Sequence, residues 1–330
     1  MSTAAGRAGD GTASTPAPTV SIGLPVYNGE RYLAESLEAL LAQTYTDFEL
    51  VLSDNASTDG TEAICREFAA RDDRIRYVRQ PVNIGAGPNH NFVFDVSRGR
   101  FFKWASHDDL YAPELVEKCM QALEEHPEMV LAHSWDAFID ENGDVIRPVP
   151  YILDTANRSA SARLKSLLYV SGGNDCYGVV RRDAFAAVGG HKSYHNADRV
   201  FVAALALQGP FYQVPEILYY RRDHPTRAER SPSKRIRSAN LDPKRGDKLR
   251  NPMARMYAEY ILGYVTAIRR APISATEKIR SLVAVGGWVL SRMRPGGAKK
   301  RLLDSADPAV LARADTKPDT RTRRRAAGTP

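Results

Sequence analysis

Thr19-Val-Ser-Ile-Gly-Leu-Pro-Val26 and Phe48-Glu-Leu-Val-Leu-Ser53 are two short, nearly continuous apolar runs, and between them Glu30 to Gln43 places Leu33, Leu37, Leu40 and Leu41 on one helical face. An apolar run, a helix-period stretch and a second apolar run describe two strands buried on both faces and joined by a crossover helix. The alternation continues outward. Thr61 to Arg71 reads as a helix with Ile64 and Phe68 inward, and Ile75 to Arg79 as a strand. Asn83 to Pro88 reads as a loop, Asn89 to Ser97 as a helix, and Phe101-Phe-Lys-Trp-Ala105 as a fourth strand. The fold class is therefore α/β, with a doubly wound, mostly parallel sheet. Sheets of this kind bind ligands beyond the carboxyl ends of their strands. Tyr27, Asn28, Asp54, Asn55, Asn83, Asp108 and Asp109 fall at those ends.

Further along, Pro113 to His126 reads as a helix and Val130 to Ile139 as a strand turning at Asp140-Glu-Asn-Gly143. The pattern then loosens. Arg163 to Val170, Arg182 to Val188 and Asp198 to Gln208 read as helices, and Cys176 to Val180 and Phe211 to Arg221 as strands. Ser231 to Asn251 is basic and polar and reads as a linker. Two amphipathic helices follow, from about Met253 to Arg270 and from the capping-box pattern Ser274-Ala-Thr-Glu277 onward. The expected organisation is a disordered leader over 1–18, an α/β domain over 19–225, a basic linker over 226–251, a helical extension over 252–298 and a basic disordered tail over 299–330.

With 330 residues, 43% of them hydrophobic, the chain can bury a sizeable core. Its net charge of +7 hides a split, from −10 over residues 1–220 to +17 over 221–330. Such a basic third either meets an anionic partner or is a solvated tail. Three cysteines without metal-ligand spacing argue against a disulfide scaffold and suit a reducing, cytoplasmic setting. No stretch approaches the roughly 20 apolar residues of a membrane span, and residues 1–18 lack the apolar centre of a signal peptide. In the basic third, Met253, Met256, Tyr257, Tyr260, Ile261, Tyr264, Val265 and Ile268 form one stripe, and Trp288 follows on the second helix. Arg250, Arg255, Arg269, Arg270, Arg280, Arg292, Arg294, Lys299, Lys300 and Arg301 flank these helices. The pattern predicts helices lying on the inner face of an anionic membrane, with a helical hairpin packed on the α/β domain as the alternative. Nucleic acid is not expected, because the tail's cations are not interleaved with aromatics and no reader motif is present.

Asp108-Asp109 lies just past a buried strand. Two adjacent acids there repel unless a cation or a hydroxyl-rich ligand joins them, although a solvated turn or a helix cap would also account for the pair. Asp54 ends the second strand where such folds read a ribose or a base, and Asp54-Asn-Ala-Ser also makes a good Asx-turn.

Pro25-Val-Tyr-Asn28, Ser53-Asp-Asn-Ala-Ser-Thr-Asp-Gly-Thr61, Asn83-Ile-Gly85 and Ala105-Ser-His-Asp-Asp-Leu-Tyr111, in that order, resemble family 2 glycosyltransferases of the GT-A fold over roughly Thr19 to His224. The resemblance implies a nucleotide-binding half followed by an acceptor half. It implies that Pro25, Tyr27 and Asn28 border the base, that Asp54 reads it, and that Asn83 and Gly85 belong to the nucleotide-sugar site. It further implies that Asp108 and Asp109 hold the ribose and a divalent metal, Mn2+ or Mg2+, with Asp109 the ligand and His224, in Tyr219-Tyr-Arg-Arg-Asp-His224, completing the shell. The family's usual arginine near the diphosphate is absent from Asn89-His90-Asn91, and His90 stands in its place. Asn196-Ala-Asp198 resembles the segment carrying the catalytic base. Asp198 is thus the expected base, with helix capping as its other reading and Asp175 as the second candidate.

The function so implied is inverting transfer of a sugar from a nucleotide-diphospho-sugar to an acceptor hydroxyl. The acceptor would be a carbohydrate or a lipid-linked molecule in cell-surface polysaccharide, glycolipid or glycoconjugate synthesis. The alternatives are a nucleotidyltransferase-like enzyme, for which Pro25-Val-Tyr-Asn-Gly29 lacks a triphosphate-binding loop, and a non-catalytic nucleotide-sugar-binding protein.

Overall fold

A computed structural model describes residues 16–149, 151–169, 174–194, 196–225, 227, 233–247 and 249–293. Strands β1 (Val20–Val26), β2 (Phe48–Asp54), β3 (Ile75–Arg79) and β4 (Phe101–Trp104) lie parallel in the order β3-β2-β1-β4. Helices α1 (Leu33–Leu41), α2 (Thr61–Arg71) and α3 (Ala86–Asp95) cross between them. Every residue of β1, β2 and β4 is buried, as a sheet covered on both faces requires. Val20, Ile22, Leu24 and Val26 meet Leu33 and Leu37 of α1 on one face. On the other, Val51, Phe102 and Trp104 join the core around Val93 of α3. The β1–β2 register sets Val26 beside Asp54, so the Tyr27 and Asn55 loops leave the sheet together.

The second half comprises β5 (Leu110–Tyr111), α4 (Leu115–Glu125), β6 (Leu131–Ile139), β7 (Val145–Val149), α5 (Ala160–Tyr169), a 3-10 turn at Asn174–Tyr177, β8 (Val179–Arg181), α6 (Arg182–Val188), α7 (Ala197–Gln208) and β9 (Phe211–Arg222). The sheet turns antiparallel at β4–β8 and continues β8-β6-β9-β5, with β7 paired to β6. The sequence reading passed over β5 and β7. The first has two residues, too few to show a period, and the second carries Pro148 and is half exposed, as suits an edge.

The stretch read as a linker contains helix α8 (Lys234–Leu241) and a 3-10 turn at Pro243–Gly246. Two local caps account for them. Ser233 Oγ accepts from the Ile236 N–H at 3.2 Å, and Asp242 Oδ1 accepts from the Lys244 N–H at 3.0 Å. Helices α9 (Met253–Arg270) and α10 (Ala275–Met293) then pack against α7 and α5. Tyr260, Tyr264 and Ile268 of the predicted stripe are buried in that contact, and Met256 of the same stripe is buried as well. A Cβ on Gly263 would come 2.3 Å from Tyr194 Oη, so this glycine permits the close approach of α9. Trp288, expected at a water–lipid boundary, is instead 6% exposed and lies edge-on to Tyr260 and Tyr264. In the capping box, Ser274 Oγ accepts from the Glu277 N–H, but the Glu277 carboxylate reaches across to Ser159 and Ser161. Residues 1–15 of the predicted leader, and the predicted tail, lie outside the described residues.

Candidate active site

Four loops converge where the parallel strands end. Asn28, with φ +52°, donates its N–H to Ser57 Oγ at 2.9 Å and accepts from the Thr58 N–H at 2.9 Å. Asn55 donates from Nδ2 to Asn83 Oδ1 at 3.0 Å and accepts from the Ile84 N–H at 2.9 Å. Asn83 Oδ1 also accepts from the Gly85 N–H. These bonds join the loops after β1, β2 and β3 into one rim. Gly85 caps α3 with φ +89°, and its Cα faces the Leu241 carbonyl so closely that a Cβ would lie 2.6 Å from it. Tyr27 stands on the rim, 45% exposed, whereas Pro25 is buried inside β1.

Asp54 is fully buried. Its carboxylate accepts from the Ser57 N–H at 2.8 Å and the Tyr77 hydroxyl at 3.2 Å, and pairs with Arg79 at 3.2 Å. Asp54 is therefore bonded to the backbone three residues on, one further than an Asx-turn would reach, and it shapes the rim from beneath.

The adjacent acids differ sharply. Asp109 is 3% exposed, and both its oxygens are taken, Oδ1 by the Arg222 N–H at 2.9 Å and Oδ2 by the Tyr219 hydroxyl. Burial and the neighbouring Asp108 push its carboxyl up to about 7, against those two bonds. Asp108 instead turns toward His224, whose Nε2 lies 3.0 Å from Oδ2, and accepts from the Ser106 hydroxyl. Burial raises its pKa, but His107, His224 and Ser106 outweigh burial and hold the carboxyl well below the ordinary range. Asp108 is thus a carboxylate beside a histidine, while Asp109 is a buried acid tied into the fold. The structure thus brings Asp108 and His224, two of the three expected metal ligands, into contact, and gives both oxygens of Asp109 protein partners. Asp108 offers carboxylate oxygens of the kind that suit Mn2+ or Mg2+, and His224 an imidazole nitrogen, a common metal ligand. Among the described residues no cluster of three such ligands forms, so a bound diphosphate or water would have to fill the remaining positions.

Arg222 escaped the sequence reading. It is fully buried, and its guanidinium bonds the Asp108 and Glu141 carbonyls at 2.9 Å and pairs with Glu35 at 2.6 Å. It clamps α1, the acid loop and the β6–β7 turn together. Nothing in Arg221-Arg222 marks the second arginine as the buried one.

His90, the residue in the missing arginine's place, is engaged within the fold. Its Nδ1 donates to the Ala86 carbonyl of its own helix at 2.7 Å, and its ring packs against Trp104 and His191. Burial, then His191, lowers its pKa to about 4, so it is neutral. Asp198 lies exposed in the first turn of α7. Asp175 lies in the 3-10 turn, with its side chain outside the described residues.

A model of glycosyl transferase family 2 matches residues 21–189, just over half of the chain. The protein belongs to that family. This family 2 member is 33% identical over 132 residues to an uncharacterized glycosyltransferase, MJ1057, of Methanocaldococcus jannaschii, covering 39% of this chain and 46% of that protein. The chain spans less than half the length of the curated relatives it matches. Solved structures show its fold to be GT-A. S. aureus TarS 1–349 in complex with UDP-GlcNAc superposes with a TM-score of 0.55 at 17% identity, over 83% of this chain and 82% of that one. Mannosyltransferase PcManGT from Pyrobaculum calidifontis, in complex with GDP-Man and Mn2+, gives 0.50 at 18% identity, over 85% and 82%.

Proposed function

We propose that this glycosyltransferase moves a sugar, with inversion, from a nucleotide-diphospho-sugar to an acceptor hydroxyl. The observation that carries the reading is the Asp108–His224 pair at the carboxyl end of the parallel strands, beside a rim built from the family's motifs. The nucleotide-sugar complexes of TarS and PcManGT support the donor class, and the Mn2+ in the latter supports a divalent metal. When bound at Asp108 and His224, such an ion would neutralise charge on the departing diphosphate. Tyr27 offers an exposed ring for the base, with Asn28 beside it. Asp109, Tyr219 and Arg222 hold the acid loop in place. Asp198 takes the proton of the acceptor hydroxyl, whose oxygen bonds to the anomeric carbon from the face opposite the nucleotide while the bond to the diphosphate oxygen breaks. The acceptor is a carbohydrate or lipid-linked molecule of surface polysaccharide, glycolipid or glycoconjugate synthesis, met on the cytoplasmic face of a membrane.

Thermal shift with UDP, GDP and dTDP, with and without Mn2+, tests donor binding, since a ligand of the folded state raises Tm by mass action. One nucleotide should stabilise the protein only with the metal, and Asp108→Asn should remove that effect. Retention of metal-dependent binding in Asp108→Asn would sink the pair. With the donor so identified, Asp198→Asn should lower turnover by roughly 10²–10⁴ with donor binding unchanged. Near-normal turnover would move the base to Asp175.

A further inference from the structure

Helix α10 has two apolar faces. Ser281, Val285 and Trp288 face the protein and are buried. On the opposite side Ile279, Leu282, Val283 and Leu290 are 62%, 40%, 69% and 62% exposed. At 3.6 residues per turn these four fall within an arc of about 100°. Gly286 lies in the same arc, and a Cβ there would meet nothing within 4 Å, so the face is open along its length. Leu262 of α9 is a further exposed apolar side chain, at 59%.

The charge around this face is one-sided. Residues 249–293 hold seven Lys and Arg against two Glu. Both glutamates are engaged, Glu259 with Arg245 and Arg255, and Glu277 with Ser161 and Arg280. Arg280 borders the apolar arc, and Arg269 and Arg270 are exposed at the end of α9. The sequence beyond Met293 adds ten Lys and Arg against four Asp. A second copy would oppose cation to cation, whereas an anionic lipid surface complements both the charge and the apolar arc.

We infer that the outer face of α10 is a membrane-docking surface, seating Ile279, Leu282, Val283 and Leu290 among the lipids of an anionic bilayer while flanking cations meet the headgroups. It places the docking on α10, because Met256, Tyr260, Tyr264 and Ile268 of the α9 stripe and Trp288 are used internally. No helix of the described residues is long and apolar enough to cross a membrane, so the helix lies in the interface plane. Vesicle binding needs no donor, so failure of this inference is separable from failure of the catalytic reading.

The test is co-sedimentation of the full chain with phosphatidylcholine vesicles, with and without phosphatidylglycerol. Wild type should pellet only with the anionic lipid, and less at high salt. The triple variant Ile279→Ser, Val283→Ser, Leu290→Ser alters only exposed positions, and an unchanged Tm would show that it folds. It should lose roughly tenfold or more of the bound-to-free ratio, from the apolar area no longer buried. Undiminished pelleting of this variant would overturn the inference, since the basic tail alone would then suffice. So would a wild type that never pellets, including one in which the same substitutions dissolve a dimer in solution.

Discussion

Ala56 holds φ +59° in the loop that clasps Asn28. The left-handed region costs an L-residue with a Cβ roughly 1–2 kcal/mol, and glycine escapes that cost at some entropic expense in the unfolded chain. Ala56→Gly should therefore stabilise the protein by about 0.5–1 kcal/mol, read as a higher urea midpoint at unchanged slope. A lower midpoint would mean that the methyl group packs usefully. At this scale the sequence was informative about which residues gather and poor about what each one does. Asn28, Asp54, Asn83 and Gly85 are all in or directly beneath the rim, and Asp108 follows the next strand of the same sheet. The split between Asp108 and Asp109 was illegible, because it is decided by the Tyr219 hydroxyl and the Arg222 N–H, over a hundred residues downstream. How His90 is held was illegible for a similar reason. Its surroundings include His191 from a distant loop, and its proton goes to its own helix.

Among the elements, α1, α2, the first four strands and α7 were readable because each carries a strong period or an unbroken apolar run. β5 and β7 were not, since short or edge strands pair through backbone bonds that leave little trace in side chains. The C-terminal hairpin shows the limit of periodicity. Both the α9 stripe and the outer α10 face look the same in sequence, yet only the first meets α7. Trp288 pins the two helices together, so Trp288→Ala should cost about 3–5 kcal/mol. Its indole N–H has no hydrogen-bond partner among the described residues, so Trp288→Phe should cost much less. Denaturant titration of both variants checks this, and equal losses would show that the N–H is satisfied after all.

For the molecule as a whole, acid should be the weak side. Burial holds His90 and His191 down to about 4, while an unfolded histidine titrates near 6.5. Between those values the unfolded chain binds more protons, so their contribution is complete above about pH 6.5 and is lost as pH falls toward 4. Asp109, raised to about 7, pulls the opposite way over the same window. The comparison of Tm against pH between wild type and His191→Gln isolates the histidine part, and the variant should lose less stability on acidification. Identical slopes would refute it.

The contact between Gly85 and the Leu241 carbonyl also bears on the order in which the molecule is made. The rim at Asn28, Asn55 and Asn83 is encoded before residue 90, but the wall beside Gly85 is laid down some 150 positions later. During synthesis the strands can pair and their helices can cover them while that wall is still inside the ribosome. The nascent protein thus has its parallel strands before it has the wall beside Gly85, and the last third of the chain, which looks like an appendage on paper, completes the first third.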